Sequence, residues 1–378
     1  MELVAPKKTL LRLLQRCQGV ADKKSTMPVL ANVLLSAADG ALRVAATDLY
    51  LAVSGALDAE VTRDGSVAVP ARDVFDRVRH MPDGPVHISV GNGAATTIKA
   101  GGSARRYTLH GLPGSEFPVL PTPPEEASRM ELPVGVLLHL VQRTVFSIST
   151  DETRAHLNSA LFEVDEGTVR MVTTDGHRLS KMERPVEGLN FQTTMLIPLK
   201  AVQELRKLLE EVPEDKRADE KVVVAQNGPN AFFELGGVSF SVKLVDAQFP
   251  PYDAVIPAMT DRAVRTPRIP LEDALKAVAL AASDRTGGVK LAVSEGALRI
   301  TSESPESGNG FDEVPVDYSG PELSVGFNAK YLLDVLAAIR DDDEVSLGLS
   351  GELDPAVVRP ANAEGGEDYI AVVMPMRI

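Results

Sequence analysis

The sequence predicts an α+β protein of three tandem, similar domains, each with two helices and an antiparallel sheet. Three observations support this prediction. A similar β-hairpin pattern occurs three times, a helical pattern precedes each hairpin, and a second helical pattern follows it. The chain has 378 residues, which is more than one hydrophobic core usually serves, so several domains are expected.

The three hairpins alternate apolar and polar residues on both sides of an acid-glycine turn. Alternation with period two indicates strands, and acid-glycine pairs suit two-residue turns. The pair Thr47-Asp48 at the end of the first hairpin recurs as Thr174-Asp175 in the second. The segments are ANVLLSAADGALRVAATD at 31–48, LNSALFEVDEGTVRMVTTD at 157–175 and GGVKLAVSEGALRITSES at 287–304.

Proline opens the helical pattern before each hairpin. These patterns begin at Pro6, Pro133 and Pro270 and carry apolar residues at i, i+3, i+4 and i+7. Proline suits the first turn of a helix because the amide hydrogen that it lacks would have no partner there. The second helices are expected over 69–81, 197–212 and 327–340.

Two proline-containing segments, 111–128 and 247–264, separate the three units of this pattern. Neither segment continues the strand or helix period, so both are expected to be linkers. The expected domains are 1–125, 129–256 and 257–378.

Composition limits the class of protein. The net charge is −14, from 53 acidic and 39 basic residues, which argues against a surface that wraps nucleic acid through general positive charge. Cys17 is the sole cysteine, so disulfides within the chain and thiolate metal clusters are excluded. No stretch has the length and apolarity of a membrane span, and the N-terminus lacks a signal-peptide pattern. We therefore expect a cytoplasmic protein without a membrane partner or cofactor.

Basic residues are concentrated on the first helix of repeat one and its exit, and on the second helices of repeats one and two. One interpretation is that these residues form the ordinary solvated faces of amphipathic helices. The other is that several helices turn a basic face toward a common polyanion while the outer surface stays acidic. Charge alone leaves both interpretations open. The residues concerned are Lys7, Lys8, Arg12, Arg16, Lys23, Lys24, Arg72, Arg77, Arg79, Lys200, Arg206 and Lys207.

The polar segment TTDGHRLS at 173–180 is the candidate for an active-site loop. The sequence contains no zinc-type histidine spacing, no phosphate-binding GxxxxGK(S/T) loop and no GxSxG nucleophile turn. Because Thr-Asp recurs in the first repeat, Asp175 is expected to be structural and to bind backbone N–H groups of the following turn. Because these motifs are missing, catalysis is not predicted. Gly176, His177 and Arg178 have no counterpart in the first repeat, so they need another explanation.

Taken together, the three repeats, the TTDGHRL loop, KLVDAQFPPY at 243–252 and the terminal VVMPMRI resemble the bacterial sliding clamp family, the beta subunit of DNA polymerase III. The resemblance covers the whole chain. It implies the DNA clamp fold and a head-to-tail homodimeric ring that encircles duplex DNA without reading its sequence. It also implies no enzymatic activity, no metal and no cofactor. The implied partners are the catalytic subunit of DNA polymerase III, the clamp loader, and other polymerases and repair proteins that carry clamp-binding peptides.

The resemblance also implies three sets of site residues. The DNA-facing set is Lys24, Arg72 and Lys200, and the dimer seam is Tyr107, Leu109 and Leu280, with Ala281 beside it. Arg178 and Arg377 are expected to supply donors at the rim of the peptide cleft. The cleft residues are Leu157, Thr174, Gly176, His177, Arg178, Leu179, Pro250, Val255, Val372, Met374, Pro375, Met376 and Arg377.

One departure and one alternative remain. A member of the family has two arginines after the Pro-Pro-Tyr run, whereas this chain has Asp253 and Ala254, so the cleft rim is less basic. The alternative function is a peptide-binding scaffold that does not encircle DNA, and the basic helices argue against it.

Overall fold

The structure, a computed structural model, describes residues 1–189, 191–283, 286–362 and 368–377. The chain divides into two compact units. Unit 1 comprises 1–134 and 207–244, and unit 2 comprises 135–206 and 245–378.

Two helices form in each of the three expected domains, and all β pairing is antiparallel, which confirms the α+β class. Five of the six helices in the described residues follow a proline directly; α6 follows Asn328, whose side chain accepts a hydrogen bond from Lys330 N. The expected start of the third helix at Pro270 was wrong, because the helix begins at Arg268 after Pro267 and Pro270 lies within its first turn. The helices are α1 Lys7–Val20, α2 Ala71–Arg79, α3 Val134–Thr144, α4 Leu199–Glu210, α5 Arg268–Ala279 and α6 Ala329–Ala338.

The strands alternate buried and exposed residues where one face of a sheet meets the helices. In chain order they are β1 Glu2–Pro6, β2 Asn32–Ala38, β3 Ala41–Thr47, β4 Leu51–Asp58, β5 Glu60–Arg63, β6 Gly65–Pro70, β7 Pro85–Val90, β8 Ala95–Ala100, β9 Arg106–His110, β10 Leu112–Pro113, β11 Ser128–Pro133, β12 Ser159–Asp165, β13 Thr168–Thr174, β14 Arg178–Pro185, β15 Thr193–Pro198, β16 Lys221–Asn227, β17 Asn230–Leu235, β18 Val238–Lys243, β19 Arg262–Pro267, β20 Gly288–Ser294, β21 Ala297–Ser304, β22 Gly308–Pro315, β23 Leu323–Asn328, β24 Glu344–Leu349, β25 Ala356–Pro360 and β26 Asp368–Val373.

The three predicted hairpins are confirmed as β2–β3, β12–β13 and β20–β21. The first two turns have both residues in the left-handed region, with φ of 49° and 75° at Asp39 and Gly40 and of 46° and 77° at Glu166 and Gly167. This geometry matches the right-handed twist of the flanking strands.

Unit 1 contains two sheets. The five-stranded sheet has the order β5-β1-β7-β8-β9, and the nine-stranded sheet has the order β10-β6-β2-β3-β4-β18-β17-β16-β11. Helix α1 packs closely on β4, because a Cβ on Gly55 would come within 2.6 Å of Leu13 Cδ2. The pairing of β4 with β18 joins the first expected domain to the second by main-chain hydrogen bonds.

Unit 2 contains an eight-stranded sheet, β15-β12-β13-β14-β26-β25-β24-β19, and a four-stranded sheet, β22-β21-β20-β23. Here β14 pairs with β26, so the second expected domain is joined to the third in the same way. Because both sheets run through the expected domain limits, the compact units differ from the sequence repeats. The limits 125, 129, 256 and 257 therefore stay a prediction.

Candidate functional site

The loop between β13 and β14 is held by the side chains of Thr174 and Asp175. Asp175 Oδ1 accepts hydrogen bonds from the backbone N–H of His177 at 2.9 Å and of Arg178 at 3.0 Å. Thr174 Oγ1 donates to the carbonyl of Arg178 at 2.7 Å and accepts from Gly176 N at 3.2 Å. The structural role predicted for Asp175 is therefore confirmed.

The first repeat builds the same turn between β3 and β4. Asp48 Oδ1 accepts from the backbone N–H groups of Tyr50 and Leu51, at 2.9 and 2.6 Å. Leu49 has φ of 76°, where the second repeat has Gly176 with φ of 92°. Glycine adopts this conformation without the steric cost that a side chain adds. The loop conformation is thus common to both repeats, although the residues after Thr-Asp differ.

Arg178 fixes this loop to α6. Its Nη1 donates to Asp334 Oδ2 at 2.6 Å, its Nε to Asp175 Oδ2 at 3.1 Å, and its Nη2 to the carbonyl of Phe146 at 2.6 Å. The guanidinium also lies over the rings of Tyr331 and Phe146, 4.6 and 5.2 Å from their centroids. Only 8% of the residue is exposed. Acceptors of the chain itself thus engage its Nε, Nη1 and Nη2, and the expectation that Arg178 supplies donors at the cleft rim stays a prediction.

His177, the last residue of this loop, contacts both α6 and the C-terminal segment. The His177 ring stacks on Tyr331 of α6, with centroids 6.2 Å apart, while its carbonyl accepts a hydrogen bond from Met374 N at 2.9 Å. Met376 N donates to the carbonyl of Gly326 in β23 at 2.9 Å. The residues after β26 are therefore tied to both sheets of unit 2.

A cavity of about 300 Å³ lies beside this loop. Its size and mostly apolar lining suit the burial of a few apolar side chains of a ligand. Of the expected cleft residues, His177, Pro375, Met376 and Arg377 do not line it. The lining residues are His156, Leu157, Thr174, Gly176, Arg178, Leu179, Pro250, Tyr252, Val255, Val372 and Met374.

The floor and wall of the cavity belong to the core of unit 2. Leu179 and Val372 are paired directly across β14 and β26, and both are at most 2% exposed. Val255 and Met374 are 43% and 37% exposed at the mouth. The unbranched side chain of Met374 at the mouth can adapt its shape to an apolar ligand, while the floor is buried in the core.

Sequence reasoning missed His156 and Tyr252 as lining residues. Tyr252 follows the Pro-Pro pair in a short 3-10 turn, and its hydroxyl donates to Glu163 Oε2 at 3.1 Å. Burial and the charge of Glu163 raise the pKa of Tyr252 to about 12. Its ring contacts the edge of Phe249, with centroids 6.4 Å apart. The Pro-Pro-Tyr run could have indicated Tyr252 as a lining residue. Two prolines restrict the backbone before the tyrosine, so its ring can form one wall of the cavity.

The expected DNA-facing residues are exposed. In unit 1, Lys24 lies in the turn after α1, and Arg72, in the first turn of α2, lies 3.5 Å from Asp76 Oδ2. Lys200 lies in the first turn of α4 and belongs to unit 2. Several neighbouring basic residues have acidic partners: Lys7 pairs with Asp83, Arg77 with Asp73, and Arg79 with Asp76. The cationic surface on these helices is thus partly neutralised.

The expected seam residues differ in exposure. Leu280, just after α5, is 83% exposed, and Tyr107 on β9 is half-buried. Leu109 and Ala281 are 3% and 7% exposed, so the chain itself already covers them, and their place in a dimer seam stays a prediction. Phe311 on β22, which the sequence reasoning missed, is 66% exposed.

Among the described residues, no group of three or more His, Cys, Asp or Glu side chains is arranged to hold a metal ion. The helices in those same residues are all too short or too polar to cross a membrane.

Replacing Arg178 by Met should lower the free energy of unfolding by about 3 kcal/mol, because Asp334 and Asp175 would lose a largely buried ionic partner. Urea denaturation measures this change. The matched control is Arg154→Met, which removes a pair with Asp151 whose side chains are 45% and 42% exposed and should cost less than about 1 kcal/mol. Equal costs for the two variants would contradict the anchoring role of Arg178.

Comparison with family models matches the chain in three consecutive segments. Residues 1–121 match the N-terminal domain of the DNA polymerase III beta subunit, residues 131–251 its central domain, and residues 253–377 its C-terminal domain.

Relatives match over the full length. The beta sliding clamp of Pseudomonas putida is 34% identical over 382 residues, covering 100% of both chains. The structure of the DNA polymerase III subunit beta from Pseudomonas aeruginosa superposes with a TM-score of 0.91 at 33% identity, and that of the sliding clamp from Bartonella birtlesii bound to griselimycin with 0.92 at 34%; each covers 100% of both chains. This chain belongs to the family of DNA polymerase III beta subunits, the beta sliding clamps.

Proposed function

We propose that two copies of this protein close head to tail into a ring around duplex DNA and act there as a sliding clamp for the replicative polymerase. The role is mechanical and involves no catalysis. The observation that carries the proposal is the way sheets continue from one repeat to the next. The cytoplasmic location expected from the sequence stays a prediction.

Within the chain, two strand pairs join successive repeats, and we call each of them an internal seam. The paired strands hold the same positions in their repeats at both internal seams. The strand after the hairpin of one repeat pairs with the last strand of the next, as β4 with β18 and β14 with β26. The corresponding strands left over are β22 and β9, and each ends its sheet. Open edges of this kind can pair with another chain. Pairing of β22 with β9 of a second copy would repeat the internal seam and close a ring of six repeats.

The register of this seam follows from the internal pairings. Val53 lies opposite Phe240 in the β4–β18 seam, and the hairpin registers make Gly310 equivalent to Val53 and Tyr107 equivalent to Phe240. Gly310 would thus lie opposite Tyr107 of the partner. A Cβ on Gly310 would come within 3.1 Å of Ala281 Cβ, so these two small residues leave room for the tyrosine ring.

Leu280→Asp should convert the dimer to monomers, because it places a charge in an apolar contact. Sedimentation equilibrium at micromolar concentration measures the change. Leu353→Asp is the control, since Leu353 is 61% exposed outside the proposed seam and its replacement should leave the dimer intact. An unchanged dimer in Leu280→Asp would contradict the seam.

The cleft beside the β13–β14 loop is the proposed docking site for short peptides of polymerases, the clamp loader and repair proteins. Its apolar floor and its half-exposed mouth at Val255 and Met374 support a ligand with two neighbouring apolar side chains. The relative from Bartonella birtlesii was solved with a bound ligand, griselimycin. The exposed Asp253 next to Tyr252 makes acidic side chains beside the apolar pair unfavourable.

A peptide ending in Leu-Phe should bind with micromolar affinity, about −8 kcal/mol, as measured by isothermal titration. Truncation after Val373 removes Met374 from the mouth and should abolish binding without affecting the dimer. Met259→Glu is the control, because Met259 is 86% exposed and does not line the cavity. Peptide affinity that survives the truncation would argue against this site.

Enclosure explains how an acidic protein can stay on DNA. A closed ring is retained by topology and requires little of the counterion release that strong phosphate binding produces. Exposed Lys24, Arg72 and Lys200 are sufficient for transient phosphate contacts, and such contacts carry no base specificity. Partial neutralisation of the other helix cations by Asp73, Asp76 and Asp83 favours sliding over tight binding.

Protein placed by its clamp loader on nicked circular plasmid should co-elute with the plasmid in gel filtration, even in salt that removes surface-bound protein. Linearising the plasmid should release it. Replacing Lys24, Arg72 and Lys200 together by Glu should weaken loading, because the surface would repel phosphates, but should not speed escape from circles.

Equal retention on circular and linear DNA would contradict enclosure. Together with intact peptide binding, that outcome would favour the alternative function, a peptide-binding scaffold that does not encircle DNA.

A further inference from the structure

The first helices of the three repeats can be compared position by position. Counted from Pro6, Pro133 and Pro267, the fourth, seventh, eighth and eleventh residues are buried in α1, α3 and α5 alike. The three helices therefore pack in the same way, and residues at equal distance from the proline occupy equivalent places.

In α1 the tenth residue forms an ion pair across the seam between the first two repeats. Arg16 Nη2 lies 2.5 Å from Glu211 Oε2, just beyond the end of α4. Arg12, the sixth residue, binds the same carboxylate at 2.6 Å. Burial alone would raise the pKa of Glu211, but the hydrogen bonds from Arg16 and Arg12 outweigh it and lower that pKa. Both pairs lie within unit 1.

In α3 the tenth residue does the same at the seam between the second and third repeats. Arg143 Nη2 lies 3.0 Å from Asp342 Oδ2, in the segment after α6. The Arg143 side chain is 6% exposed, and it also donates to His139, the sixth residue, at 2.8 Å. The pair lies within unit 2. Both internal seams are thus reinforced by an arginine at one position and a carboxylate after the second helix.

In α5 the same two positions hold Asp273 and Ala277, and both are exposed. The neighbouring Lys276 is held on its own helix by Glu272 at 2.5 Å. The carboxylate that corresponds to Glu211 and Asp342 is Asp83, which follows α2 and whose side chain is fully exposed. The acidic half of the pair is therefore present, and the arginine is missing.

We propose that the contact between two copies lacks the arginine–carboxylate pair that reinforces each internal seam, and that this omission weakens the dimer. The inference rests on the proposed dimer. At this seam Asp273 faces the side on which the partner presents Asp83, so an acid occupies the place that Arg12 has in the first internal seam. Lys7, 3.0 Å from Asp83 in the same copy, offsets part of the charge of Asp83. Repulsion of like charges replaces attraction at the same position. The sheet pairing of β22 and β9 and the apolar contact of Leu280 then hold the seam without an ion pair from the helices.

The test is to restore the missing pair. Ala277→Arg should tighten the dimer about fivefold, measured as the dissociation constant by sedimentation, and should slow subunit exchange measured by energy transfer between labelled copies. Adding Asp273→Arg, which reproduces the pattern of α1, should tighten it further. Asp83→Asn in the same chain should cancel the gain, because the acceptor charge is removed. Ala263→Arg, the same change at an exposed alanine of β19, is the control and should have no effect.

An unchanged or weaker dimer in Ala277→Arg would overturn the inference while leaving the dimer itself established. A gain that persists with Asp83→Asn would overturn the pairing with Asp83. A parent protein that is monomeric at micromolar concentration would overturn the proposed ring, and the inference with it.

Discussion

Main-chain pairing between strands of successive repeats, β4 with β18 and β14 with β26, is the constraint on which the other features depend. A single repeat ends in two open strand edges, and burying an edge requires the next repeat in one orientation. The same pairing helps to place α1, because α1 packs on β4, a strand of the first seam. It also leaves β9 and β22 at the edges of their sheets.

The cleft is a product of the second seam. Its floor consists of Leu179 and Val372, which are neighbours only because β14 and β26 pair. Its loop is a turn that the first repeat also makes, with Leu49 where the second has Gly176. What distinguishes the second repeat is Arg178, which binds Asp175 and Asp334 and thereby fastens the loop to α6. A satisfied polar network of this kind rigidifies the loop that borders the cavity.

Several basic side chains of the helices are paired with acidic side chains of the same chain, which limits their attraction for a polyanion. Arginines on the first helices of repeats one and two are used to hold seams, at Glu211 and Asp342, and so are not available in full to a polyanion. A chain with a net charge of −14 can still act on DNA if enclosure supplies retention. The arginines that stabilise the internal seams are therefore less available to bind phosphates, and weak phosphate binding favours sliding.

The sequence alone determined the three hairpins, the six helices and the α+β class. Local periodicity, turn chemistry and proline placement carry these signals, since they depend on neighbours along the chain. The tertiary structure decided what depends on distant residues: the pairing of β4 with β18, the burial of Leu109, and the hydrogen bond of Arg178 to Asp334. A residue's partner across a sheet or behind a loop lies far away in sequence, so no local pattern specifies it.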